Sequence, residues 1–576
     1  MSVAERLGMG TNREQARLMC AFGMLDSAPI EFSSCQTVPY GGVMFLLPFL
    51  LECGLLSYIN HYSPRLKGYY NFDNLFIIIA FMFLCRIKNF EQVKHHSPGE
   101  FGKLVGYDRI PEVKTLRSIV QEISSQNHAQ EWLSELSQTW IEDENPQLYY
   151  IDGHVQVYHG YLANLGKKYV SRQKLCLPGM MEFWVNAFDG NPYFFITADV
   201  NEKMEEMLND KIIPMLLELH PVSEERKKQM EKCPDEPLFT LVFDREAYSP
   251  SFFVKLWKKY RIAVLTYRKN VKDKWDESCF SKYNVPVSFG NNEDMLLGEK
   301  PLMSDQFAMR EIRKIGKNGH QTSIVTTNKM LSIILVASYM FARWIQENFF
   351  RYMRQEYALD KIIQYSVDEL DSNIMIVNHE YNNINNKIRT LRNKISKFKA
   401  ELYTVTEKID KQKNTEKDKQ NLILKSADVS ENIKLEEQKL EDMLKNRKQI
   451  PYKISIGQMP EETRYNRLNQ ESKTLMNIIK IICFRAETAL TNILSPHYKR
   501  AKQEVRDLVK TIINTPIDME IDNEKNLIII TLYPLSNQRS NIAVEKICDN
   551  INNTNTIYPS TNLKLFFKIA TVKTVP

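Results

Sequence analysis

The chain has 576 residues, with 76 Lys and Arg against 70 Asp and Glu, a formal charge of +6. That balance excludes a supercharged nucleic-acid arm but leaves local basic patches open. A 43% hydrophobic content excludes global disorder, and 20 glycines are about half the usual ~7%. Neither GxxxxGK[ST] nor GxGxxG occurs; Gly8-Met9-Gly10 has no third glycine. A P-loop or Rossmann nucleotide site is therefore not expected. Nine cysteines, none in CxxC spacing, read as reduced thiols in a cytoplasmic protein, without a zinc cluster. The apolar stretches Val43–Ile59 and Leu75–Cys85 fall short of a bilayer span. A buried helix pair is expected there, with no membrane partner and no signal segment.

In chain order, residues 1–145 read as a helical N-terminal DNA-binding domain. Pro111 opens a helix whose Val113, Leu116, Ile119, Val120 and Ile123 follow the helical period. Arg109, Lys114 and Arg117 suit DNA, and equally suit a solvated face. Strands follow at Gln147–Asp152, Val155–His159, Pro192–Thr197, Leu238–Asp244 and Ile262–Thr266, with a helix at Pro250–Tyr260 between the last two. Strands alternating with helices predict an α/β core.

Residues 269–321 read as a β-rich insertion with a hairpin around Gly316–Gly319. Thr322–Asn328 returns to the core as a strand, and Leu331–Asp360 reads as one long helix. Ile384, Ile388, Leu391, Ile395, Phe398, Leu402, Val405 and Ile409 alternate spacings of four and three, a heptad seam. The seam weakens at the charged stretch Gln412–Lys419, and Ile433, Leu440 and Leu444 suit a returning helix. A coiled-coil hairpin over 376–450 is preferred to an intermolecular coiled coil. Helices follow after Pro460. A β-hairpin at Ile517–Ile521 and Leu527–Tyr533, with a strand at Leu563–Val572, makes 455–576 a small α+β C-terminal domain.

Asp152 and Asp244 each close an expected core strand, and Glu347 lies on the helix after the returning strand. A lone acid at a strand end is usually a loop acid. Carboxylates converging from three elements form an oxygen-rich site suited to Mg²⁺. Two such ions, ~3.5–4 Å apart, support phosphodiester chemistry.

Here a resemblance is reached. Tyr149–Gly160 resembles the first-Asp motif of bacterial insertion-sequence transposases, and Phe243–Ser249 resembles their second-Asp motif. Gln321–Asn328 and Arg343–Phe350 resemble the strand and helix that deliver their catalytic Glu. These are DDE transposases with an RNase H-like core, and the β-insertion fits the hairpin-forming group with a Tyr-Arg-Glu-Lys signature. The resemblance covers about 110–370. It implies an RNase H-like core split into 146–268 and 322–372, the second part bearing the catalytic helix. It makes Asp152, Asp244 and Glu347 a catalytic triad holding two Mg²⁺ or Mn²⁺ ions. Arg343 would hold DNA-end phosphates. Arg354, where the family has Lys, keeps the charge seven residues after Glu347. Tyr339 stands one residue off the family's spacing. The resemblance also implies terminal inverted repeats of double-stranded DNA as partner, a homodimer in the DNA complex, and a nucleoid-associated location. Trp275 is a candidate for a base-stabilising Trp, or a packed residue of the insertion.

His154, two residues after Asp152 on one strand face, fits a structural histidine better than a metal-site group. Phe349, Phe350 and Tyr352 fit core packing better than base stacking. Lys255, Lys258, Lys259, Arg261, Arg268, Lys269, Lys272 and Lys274 face Asp273 alone in 255–274. Lys167, Lys168, Arg172 and Lys174 have no acid among them in 167–174, and 381–426 carries a further cationic excess. Their position beside the carboxylates favours DNA backbone contact, with Lys269 and Lys272 as candidates. The expected function is strand cleavage and transfer. The rivals are an RNase H-like nuclease without strand transfer and a domesticated DNA-binding relative.

Overall fold

A computed structural model describes residues 10–62, 68–158, 165–170, 173–200, 202–288, 291–304, 307–360, 367–369, 375–410, 416–459, 466–468, 470–498, 500 and 502–570. His159, Gly160, Arg172, Pro460 and residues 412–415 of the expected charged turn lie outside these. The chain divides into two compact units. One comprises 1–159, 166–365 and 469–576; the other comprises 160–165 and 366–468.

The first unit is built on a ten-stranded mixed sheet. Its strands are β1 (Leu148–Val157), β2 (Lys167–Val170), β3 (Leu175–Asn186), β4 (Pro192–Asp199), β5 (Thr240–Phe243), β6 (Ala263–Tyr267), β7 (Ser281–Ser288), β8 (Asn291–Ser304), β9 (Phe307–Ile315) and β10 (Gln321–Thr326). The path runs β2-β3-β1-β5-β6-β10-β9-β8-β7, with β4 also paired to β3. β1, β5 and β6 are parallel; β3 is antiparallel to β1, and β4 to β3. The expected strands at 147–152 and 155–159 are thus parts of one strand. The parallel strands read as apolar runs because both faces are covered; all four residues of β5 are buried. β10 returns antiparallel to β6, and β7–β9, which lie in the 269–321 segment, extend the sheet.

The segment expected as one helix over 331–360 is two, α5 (Ile333–Phe341) and α6 (Trp344–Tyr357), separated at Ala342 and Arg343. The backbone there tightens into i→i+3 bonds, with Ile345 N–H on Ala342 O at 2.8 Å and Gln346 N–H on Arg343 O at 3.0 Å. Ser332 caps the start of α5 through its hydroxyl.

The two ends of the chain share one core. The strand Cys35–Val38 pairs with Ile517–Asp522, whose hairpin partner Leu527–Leu532 pairs in parallel with Lys564–Ile569. The helix Glu471–Leu494 is buried on nearly every side and packs on the helices Leu47–Glu52, Phe72–Leu84 and Ala129–Glu144. The apolar stretches around 43–85 are therefore core, as expected, and no helix among the described residues is long and apolar enough to cross a membrane.

The second unit holds two long helices, His379–Asp410 and Glu416–Gln449. The heptad positions face the partner helix: Ile388, Ile395 and Val405 are buried, as are Val429 and Ile433. Lys394–Glu436 at 3.0 Å, Lys399–Glu437 at 2.7 Å and Lys425–Glu401 at 3.0 Å fix an antiparallel hairpin. Lys394, Lys399 and Lys425 of the basic stretch 381–426 are thus paired within the hairpin.

Candidate active site

Asp152 lies in β1 at the level where β5 ends. Ile151 is in register with Phe243, so Asp244 follows directly beside it. Asp244 begins a short 3₁₀ turn, its Oδ1 accepting from Arg245 N–H at 2.7 Å. Asp152 Oδ1 accepts from Gly153 N–H at 3.0 Å. Glu347 sits in the first turn of α6, where the helix dipole favours a carboxylate.

Three ties hold the α5–α6 pair against the sheet, one on α5 and two on α6. Gln346 is buried and donates to Asn186 Oδ1 at 2.8 Å. Tyr150 donates to the Tyr339 carbonyl at 2.8 Å. Gly190, at φ +94°, lets the 187–191 turn approach Ile345; a Cβ there would meet Ile345 Cγ2 at 2.9 Å.

The three carboxylates surround one guanidinium. Arg343 Nη2 lies 3.1 Å from Glu347 Oε1 and 3.9 Å from Asp244 Oδ2, and Nη1 lies 4.0 Å from Asp152 Oδ2. The helix break at 342–343 puts this side chain there. The Arg343 side chain is 14% exposed and its Nε is buried without a hydrogen-bond partner, whereas Glu347 is 56% exposed. Burial pushes the Asp152 carboxyl up to about 6; Arg343 and the Gly153 amide pull it down, and Asp244 and Glu347 push it up. No three His, Cys, Asp or Glu among the described residues are gathered closely enough to hold a metal ion. The three carboxylates come from three elements and meet around the Arg343 guanidinium; their hard oxygen donors are of the chemistry that suits Mg²⁺ or Mn²⁺.

The remaining candidates fall around this cluster with different roles. Arg354 lies on α6, its Nε 4.0 Å from Asp360 Oδ2. Asp360 also meets His154 Nε2 at 2.5 Å, and the His154 ring stacks on Phe350 at 4.9 Å. His154 thus ties β1 to the far end of α6. Phe349 and Phe350 are buried in the core. Lys269 donates to the Glu246 carbonyl at 3.1 Å, close to Asp244 in sequence, and Lys272 is exposed on the loop after β6. Trp275 is packed: it is 9% exposed, with the Arg313 guanidinium 4.3 Å and the Lys300 ammonium 4.8 Å from its ring centroid. Two members of the 255–274 basic run are also committed internally. Arg261 donates to the Met230, Cys233 and Glu236 carbonyls, and Arg268 pairs with Glu311 at 2.7 Å.

Sequence reasoning missed Asp360 and Gln346. Asp360 falls in no motif, and Gln346 reads as an ordinary helix residue until its burial is seen.

The profile of a family described as "Transposase protein" matches residues 8–571. The chain belongs to this transposase family. No curated protein matches the transposase. Among solved structures it is similar to a piggyBac transposase synaptic complex with hairpin DNA, at 12% identity over 54% of this chain and 67% of that one, with a TM-score of 0.27. The transposase is a mixed α/β protein of a family of enzymes that cut and join DNA.

Proposed function

We propose that this transposase is a DDE enzyme of the insertion-sequence type, with an RNase H-like core formed by β4, β3, β1, β5 and β6. Its substrate would be the double-stranded ends of its own element. Asp152, Asp244 and Glu347 would hold the Mg²⁺ or Mn²⁺ ions. Those ions, when bound, supply Lewis acidity to the scissile phosphate and its attacking oxygen. The observation that carries this reading is the meeting of carboxylates from β1, the end of β5 and the start of α6 around one cationic group.

In this reading the side chains divide the work. Asp152 and Asp244 come from adjacent parallel strands and fix the floor of the site. Glu347 closes it from the helix and is the most exposed of the three. Arg343 offsets part of their charge and would lie where a phosphate oxygen of a bound strand approaches, so it suits holding the DNA end. Hydrolysis forms a phosphorus–oxygen bond from water and breaks the bond to the 3′ oxygen, which leaves as a 3′-hydroxyl. That hydroxyl then attacks a target phosphodiester in a transesterification, which forms a new phosphorus–oxygen bond and releases the target strand's 3′ oxygen as a hydroxyl. Holding two element ends together calls for a dimer.

The test is cleavage and joining of a plasmid carrying the element's ends, with Mg²⁺, for the natural protein and for Asp152→Ala. Loss of both steps in the variant is expected. Equal activity in both proteins overturns the assignment, and cutting without joining favours the nuclease reading.

A further inference from the structure

Between Asp152 and Glu182 the chain contains no acidic residue, while Lys167, Lys168 and Lys174 all lie there. The structure turns this stretch into a hairpin. β3 pairs with β1 from Gly179 onward and with β4 from Met180 onward, and Pro178 O still accepts from Tyr158 N–H at 2.9 Å, but its outer part, Leu175–Leu177, pairs with β2 alone. Asp152 is in register with Trp184. From Trp184 back to Leu175 the strand runs on the order of 30 Å at ~3.3 Å per residue. It runs in the direction of the C-terminal ends of β1 and β5, the side on which Asp244 emerges.

Gly179 seats the hairpin's base against β1, since a Cβ there would lie 2.0 Å from the Gln156 carbonyl oxygen. The hairpin also reaches the loop of the second carboxylate, the Lys168 ammonium lying 3.8 Å from Glu246. Its outer surface combines charge with uncovered apolar area. Lys167 and Lys174 are exposed, and Tyr169 and Leu175 are each 58% exposed. Tyr169 stands opposite the exposed Cys176 on one face.

We propose that the β2–β3 hairpin is a docking surface for duplex DNA entering the carboxylate site, with Lys167 and Lys174 on phosphates and Tyr169 against the groove wall. This rests on the DNA-cutting reading above. A two-stranded ribbon fits the major groove, and cations free of neighbouring acids suit a polyanion. The hairpin extends beyond the sheet on the side where Asp244 emerges, so DNA approaching from that side would meet it.

The test uses the full chain and a mixed-sequence duplex of about 40 bp. Maleimide labelling of Cys176 is followed with and without the duplex, with exposed Cys233 as the internal reference. The duplex slows Cys176 at least fivefold and leaves Cys233 unchanged. Lys167→Glu combined with Lys174→Glu lowers the slope of log K against log[salt] by about 2, near 0.9 for each phosphate no longer neutralised. Failure of the natural protein to bind duplex overturns this proposal together with the DNA-cutting reading. Binding with no Cys176 protection and an unchanged slope overturns the hairpin alone. Protection that rises with protein concentration in the absence of DNA also overturns it, in favour of contact between copies.

Discussion

Around Glu182 every partner is at hydrogen-bond distance. Its Oε1 takes Lys473 Nζ at 2.5 Å and Asn477 Nδ2 at 3.1 Å; its Oε2 takes Trp184 Nε1 at 3.1 Å and also Gln156 Nε2. Glu182 is fully buried, and burial lowers the Lys473 ammonium below its ordinary value. Around Arg343, in the same unit, three carboxylates share one guanidinium at 3.1–4.0 Å, and Arg343 Nε has no partner. Both clusters are made of acids and bases at the central sheet. In one, each charge is matched in place, as a group that only holds a core together must be. In the other, there is more negative charge than one cation neutralises, on the side facing solvent. An excess of negative charge held by a rigid scaffold suits an incoming cation, and that difference separates the proposed site from the structural cluster.

The comparison can be broken by variants on either side. Asp152→Asn should lower DNA cleavage by at least ~10³-fold, about 4 kcal/mol of transition-state stabilisation, with no loss of thermal stability. A marked drop in melting temperature would move Asp152 to the structural class. Glu182→Ala should do the reverse, costing about 3–5 kcal/mol in a denaturant titration because Lys473 is left buried and unpaired. A cost under ~1 kcal/mol would show that the buried cluster is not holding the core.

His220 gives a pH test of the structural side. It is buried, its Nδ1 lies 2.7 Å from the Tyr149 hydroxyl, and burial lowers it from 6.5 to about 4. The folded protein keeps the neutral imidazole, so this stabilisation is present above pH 6.5 and is lost as pH falls from there toward 4. About 3 kcal/mol of acid sensitivity follows. His220→Gln should flatten the fall in unfolding free energy over that window, and an unchanged pH profile would contradict the assignment. The smallest effect is at Arg343. Its one close pair is to the exposed Glu347 and the other two are 3.9–4.0 Å long, so Arg343→Gln should change stability by less than ~1 kcal/mol, while a gel assay of cleavage should show at least a tenfold loss.

Much of this was legible in the sequence because particular residues keep a simple period. The 384–409 seam repeats as a heptad and faces a helix, and β5 is short, apolar and closed by Asp244. β3 was not legible. Pro178 and Gly179 interrupt it, and its Met180–Asn186 half is buried on both faces, which removes the alternation that marks a strand. The helix 471–494 reads as helix, but its Lys473, Lys480, Arg485 and Glu487 do not read as buried; each is matched by a partner distant in sequence. The break at Ala342–Arg343 has no Gly or Pro to announce it, yet it places Arg343 among the carboxylates. Motif spacing named Asp152, Asp244 and Glu347, while their common contact with Arg343 depends on how α6 is tied to β1 and β3.

The central claim is that these three carboxylates form a divalent-cation site. Isothermal titration of Mn²⁺ near neutral pH, above the raised Asp152 value, tests it without DNA or turnover. The natural protein should bind with a saturable heat. Asp152→Asn combined with Asp244→Asn and Glu347→Gln should show none while keeping its melting temperature. Equal binding by both proteins would contradict the account.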